Sequence, residues 1–150
     1  MSDISTIFDG VVTNMATLLP SHSLLPNPYI IEDNPDTVLR KGYGVGVGSG
    51  QNTKRIINSK HSVLRNIIIT ITRQTFAKDF DKTKRDTAVK LLLEDHAVLV
   101  KDAWNISNFG TGAMRFFYDS DGGIDFVRLE DGFKFIKIET TFQVEYLEDI

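Results

Sequence analysis

Ile4, Ile7, Phe8, Val11, Val12, Met15, Leu18 and Leu19 recur at the three- and four-residue spacing of a single helix face. This stripe predicts a helix over Asp3–Leu19, capped by Ser2 or Asp3 and stopped by Pro20. A second helix is predicted over Phe80–Ala103, capped by Asp79 or Asp81. Val89, Leu92, Leu93, His96 and Val100 form its stripe, and Leu99 and Ala103 lie on the flank. On that phase Glu94 and Asp95 belong to a solvated face beside Lys90 and Lys101. The polar face of the first helix (Ser5, Thr6, Asp9, Asn14) carries no Lys or Arg, so it is not a helix that lies on a membrane.

Elsewhere the apolar period is two. In Arg40–Gly50 (RKGYGVGVGSG), Tyr43, Val45 and Val47 take one face of a strand, and Gly42, Gly44, Gly46 and Gly48 take the other. Glycine weakens a strand, so the bare face implies that another element approaches closely. In His61–Arg73, Ile67, Ile69 and Ile71 share one face and Ile68, Thr70 and Thr72 the other. In Phe133–Leu147, Ile136, Ile138, Phe142, Val144 and Tyr146 oppose Lys137, Glu139, Thr141, Gln143 and Glu145. Between the last two, Met114–Tyr118 and Ile124–Leu129 read as a hairpin turning at Asp119–Gly123, with a second turn at Asp131-Gly132. Gln51–Lys60 reads as a polar loop. Residues 20–40 hold all four prolines and predict short extended pieces (Tyr29–Ile31, Thr37–Leu39) without a helix.

The order helix, strands, helix, strands defines an α+β fold, an antiparallel or mixed sheet with long strands packed against two main helices. A length of 150 residues suits one domain over 1–150. His61–Arg73 and Phe133–Leu147 far exceed the usual strand of about 5–6 residues. Either bulges break them or they project and need a partner for their edges.

Composition narrows the chemistry. There is no cysteine, which removes disulfides, thiol catalysis and Cys-ligated metals and suits an intracellular chain. The opening MSDISTIFDG has neither the basic nor the continuous apolar region of a signal peptide, and no apolar run is long enough to span a membrane. A net charge of −3 disfavours a dedicated nucleic-acid binder. Every register of the glycine run fails G-x-G-x-x-G, and Gly50 is followed by Gln51 rather than the lysine of a phosphate loop. His22, His61 and His96 show no metal-ligand spacing, and His96 reads as a satisfied, partly buried residue of the second helix. Ser49 lacks the flanking glycines of a nucleophile elbow. DSDGGID offers Gly123 and Ile124 where a calcium loop needs a ligand and a glycine. No catalytic residue, metal ligand or cofactor is therefore assigned.

The succession DISTIFDGVVTNMATLLP, GYGVGVGSG, SVLRNIIITITRQ, DKTKRDTAVKLLLEDHAVLVKDAW and FKFIKIETTFQVEYLEDI resembles the tail terminator, or tail completion, proteins of long-tailed bacteriophages, of the lambda minor tail protein U type. The resemblance implies a non-enzymatic virion protein assembled in the host cytoplasm. It would form a homo-hexameric ring at the head-proximal end of the tail, stop growth of the tail tube, and join the neck or head-completion protein. DNA would pass through the lumen without specific binding. The segment carrying Gly46, Gly48, Lys54, Arg55 and Lys60 is then expected to contact a neighbouring subunit or the tube. Part of the acidic set Glu139, Glu145, Glu148 and Asp149 is expected to face the lumen, where negative charge lets a duplex slide. Two alternatives stand beside this reading. One is a neck or head-completion connector; the other is an enzyme binding a nucleotide or small ligand at Gly42–Gly50.

Overall fold

Alternation in the apolar strands decides the architecture, because each strand has one face that must be covered. The structure, a computed structural model, describes residues 3–75, 82–101 and 113–149. Its helices are α1 (Asp3–Leu18), a single turn α2 (Asp36–Leu39) and α3 (Lys82–Lys101), with a 3-10 turn at Ile31–Asp33. Its strands are β1 (Ser23–Leu24), β2 (Lys41–Ile57), β3 (Lys60–Gln74), β4 (Ala113–Arg128) and β5 (Lys134–Asp149). They form one mixed sheet in the order β1-β2-β3-β5-β4, with only the short β1–β2 pair parallel. The α+β reading thus holds, with α1 and α3 both packed on one face.

That face carries Tyr43 and Val45 of β2, Ile67, Ile69 and Ile71 of β3, and Ile136, Ile138, Phe142, Val144 and Tyr146 of β5, the alternation expected from sequence. Ile7, Val11 and Met15 of α1 pack there with no exposure at all. The chain leaves α1 at Leu19, whose N–H still reaches the Met15 carbonyl at 2.9 Å before Pro20 ends the ladder. In α3 the buried residues are Ala88, Leu92, Asp95 and Leu99, while Leu93 is exposed. The buried stripe is therefore rotated from the expected one, and Asp95 is not on the solvated face. The caps proposed at Ser2, Asp79 and Asp81 lie outside the described residues.

On the opposite face the glycines of β2 meet the chain's own proline-rich segment. A Cβ on Gly44 would stand 3.1 Å from Pro28 Cβ, and one on Gly42 only 2.5 Å from the Val38 carbonyl oxygen. Leu25, Ile31 and Leu39 of that segment bury with Phe135 as a second core. The exclusion of helix from residues 20–40 needs correction. Pro35 sits just before the turn Asp36–Leu39, where a missing N–H costs nothing, and the expected extended pieces give way to the 3-10 turn and this helical turn. Asn34 holds the segment together, its side chain accepting from Asn27 N–H at 2.8 Å and donating to the Asn27 and Ile31 carbonyls.

Two further expectations are overturned. Gln51–Lys60 is not a loop. β2 and β3 continue as a paired arm to a tight turn at Asn58-Ser59, both with positive φ as a type I′ hairpin requires. The arm is polar because its residues are exposed, not because it is irregular. DSDGG is not a hairpin turn either; β4 runs straight through it against β5, absorbing the extra residues as bulges at Tyr118/Ser120 and Asp121/Ile124. The Asp131-Gly132 turn between β4 and β5 is as expected, with Gly132 at φ 90 and Asp131 accepting from Phe133 N–H at 2.9 Å. β3 and β5 pair without interruption from Lys60↔Asp149 to Gln74↔Phe135. The 15 residues of β3 give a ladder of roughly 50 Å at about 3.3 Å per residue.

Candidate assembly surface

The sheet ends in two open edges. β1 covers β2 only at Gly42 and Tyr43, so among the described residues no strand lies beside the outer side of β2 from Val45 to Ile57. Along Val45 and Val47 this edge forms the floor of a slot. One wall is α1, with Ile4, Phe8, Asp9 and Val12; the other is Leu24, Pro26, Pro28 and Tyr29. The slot holds a cleft of about 460 Å³ that adjoins one of about 230 Å³ across Phe8. The Tyr29 hydroxyl lies over the edge and accepts from Val47 N–H at 3.2 Å. β4 forms the other edge and exposes Tyr118, Asp119, Asp121, Asp125 and Phe126.

The expected interface residues fall at different places along the β2 edge. Gly46 is buried, with the Tyr29 ring 3.1 Å from where a Cβ would be, and Gly48 packs on Asn66. The bare strand face thus serves the chain's own fold. At Gly42, Gly44 and Gly46 it is covered by Leu25, Pro28 and Tyr29. Lys54 sits at φ 65 in a bulge between Asn52 and Ile56, where Asn52 Oδ1 accepts from its N–H at 2.7 Å. Arg55 is exposed beside it, and Lys60 begins β3 at the tip of the arm.

The acidic residues also separate. Glu139 is exposed on the face opposite the helices, 3.3 Å from Lys137 Nζ. Glu145 is buried and fastens the arm to the sheet: it accepts from Ser62 Oγ at 2.7 Å and Arg115 Nε at 2.9 Å, with Arg55 Nη1 at 3.5 Å. The Ser62 hydroxyl, with the two guanidiniums, holds this carboxyl below the usual range despite burial. Glu148 accepts from the Tyr146 hydroxyl at 3.0 Å. The Asp149 backbone pairs with Lys60.

A second buried ion cluster escaped the sequence reading. Asp95 of α3 receives Arg73 Nε at 2.7 Å and Nη2 at 3.0 Å, and its Oδ2 lies 3.1 Å from His22 Nε2. Burial pushes the Asp95 carboxyl up, but the hydrogen bonds and charges of His22 and Arg73 outweigh it and hold it below its ordinary value. The cluster ties α3, β3 and the exit from α1 together. Its signal was the spacing of Leu92, Asp95 and Leu99, which puts an acid on an apolar stripe. His96 is satisfied as expected, its Nδ1 3.0 Å from Thr140 Oγ1. Among the described residues, no three His, Cys, Asp or Glu side chains are grouped to hold a metal ion.

No family model matches the chain, and no curated protein matches it. Among solved structures, it is similar to a chain of the virion of a native gene transfer agent particle. The identity is 12% over 95% of this chain and 92% of that one, with a TM-score of 0.44.

Proposed function

We propose that the protein is a non-enzymatic virion component that assembles as a head-to-tail homo-hexameric ring. The ring caps the head-proximal end of a tail tube, stops its growth and offers the joining surface to the neck. The observation that carries this reading is the pair of open edges. β2, β3, β5 and β4 alternate in direction, so the two outer strands run oppositely. A second copy in the same orientation therefore lays its β2 antiparallel to β4 of the first. That contact joins different surfaces, so it closes into a ring when the rotation permits. The resemblance of the sequence to tail terminators supplies the place in the virion and the number of copies.

The lumen reading is part of the same proposal. Arg55 and Arg115 balance Glu145, which takes it out of the lumen set; Glu139, which shares Lys137 with Glu32, and Glu148 are the members proposed to repel a passing duplex. The reading is tested by adding the purified chain to polymerising tail tubes and imaging the products. Six-fold rings on one end of length-limited tubes are expected. Tubes that grow on unchecked, or a chain that stays monomeric at millimolar concentration, would overturn it.

A further inference from the structure

We propose that the subunit contact is a knob in a socket. Phe126 on β4 of one copy enters the cleft between α1 and Leu24 on the β2 edge of the next copy. The proposal rests on the ring reading and adds to it the residues and register of the contact.

Phe126 is 61% exposed on an outer strand, on the face shared with Ile136. The cleft opens on the matching edge and face: Phe8, Val12, Leu24 and Val45 line it, and Leu24 is itself 48% exposed. An aromatic side chain on one edge and an apolar cleft on the other are complementary only between two copies, because one chain holds them on opposite sides of its sheet. Edges of this kind invite pairing unless covered.

The register can be read across the sheet. Phe126 pairs with Ile136, Ile136 with Arg73, and Arg73 with Lys41, so within one chain Phe126 lies level with Lys41. β1 covers the β2 edge as far as Tyr43 and the Tyr29 hydroxyl holds Val47 N–H, so an incoming strand pairs beyond Val47 while its side chains reach the cleft beside Val45. A slide of about four residues, near 13 Å, sets Phe126 opposite Val45 on the same face. Strands tilted in a closed sheet carry such a stagger. The same slide brings Asp119 and Asp121 of β4 alongside Gly50–Asn52 of the neighbour, next to its Lys54 bulge. One register thus seats the apolar knob and sets acid beside base. The two-fold alternatives, β4 on β4 or β2 on β2, would instead face aspartates with aspartates or Lys54 and Arg55 with themselves.

The absence of cysteine in the chain makes the test specific. Two variants, Leu24→Cys and Phe126→Cys, are prepared separately, mixed in equal amounts at a concentration where light scattering shows self-association, and oxidised. Both positions are exposed, so folding is not at stake. The expected product is a mixed disulfide dimer, with little dimer from either variant alone. In a second arm, Lys54→Glu weakens self-association about fivefold, the scale of one rim charge pair, and Lys54→Glu with Asp119→Lys restores it. Self-association without the mixed disulfide overturns this contact and leaves the ring standing; disulfides of like variants only would mark a two-fold contact and overturn the head-to-tail ring with it. A chain that never self-associates overturns the ring and the contact with it.

Discussion

Asp95 shows how one side chain can carry the junction of three elements. Replacing it with Asn removes the charge that Arg73 and His22 share and leaves a guanidinium only 17% exposed without its counter-ion. Breaking such a pair costs about 3 kcal/mol, read as a lower midpoint in urea. The same cluster sets the acid response. Asp95 and Glu145 both have folded-state values below those of the unfolded chain, so their contribution is complete above about pH 4–4.5 and is lost as pH falls through the depressed values. The melting temperature is therefore expected to hold from neutral to about pH 5 and drop below pH 4. Asp95→Asn should flatten that drop. The glycines divide by what surrounds them. Gly42→Ala drives a Cβ into the Val38 backbone and should cost about 3 kcal/mol; Gly46→Ala meets only the side chain of Tyr29, exposed and free to shift by a few tenths of an ångström, and should cost under about 1 kcal/mol. Chemical denaturation of both variants checks the order. A close approach to the bare face was legible in the alternation of glycine with Tyr43, Val45 and Val47. The approaching partner, Pro28 and Tyr29, was not, since nothing local ties residues 25–31 to β2.

At the scale of elements, strands with one buried face were legible residue by residue, because period two leaves no freedom in register. α1 was legible for the same reason at period 3.6. The arm was not: Gln51–Lys60 has both faces wet, so alternation carries no signal, and only its cross-strand pairing makes it a strand. Its turn has a testable weakness. Ser59 stands at φ 62, which favours glycine. Ser59→Gly should stabilise the protein by about 0.5 kcal/mol, the relief of left-handed strain less the greater freedom of glycine in the unfolded chain. Calorimetry measures it. β4 misled for the opposite reason: DSDGG has turn chemistry, yet bulges consumed it because β5 offers a partner along the whole length of β4. The rotated phase of α3 arose from counting Leu93 as core and Asp95 as surface, and an ion pair with Arg73 reverses both.

For the whole molecule, the open edges and the slot came from topology, which no stretch of the chain announces. β4 becomes an edge because β5, which follows it in the chain, inserts between β3 and β4. That order of synthesis has a kinetic consequence. Until residues 134–149 emerge, the apolar β3 (Ile67, Ile69, Ile71) has β2 on one side and nothing on the other, and β4 has no partner at all. The ladder β3–β5 then closes contacts between residues far apart in the chain, a slow step for any sheet. Nascent or truncated chains ending before Lys134 are thus expected to bind holdase chaperones and to aggregate. Ribosome-arrested chains of increasing length, probed by proteolysis, should turn resistant in a single step once β5 clears the exit. Cells making this protein would then carry a pool of half-made chains whose solubility depends on how soon β5 joins them.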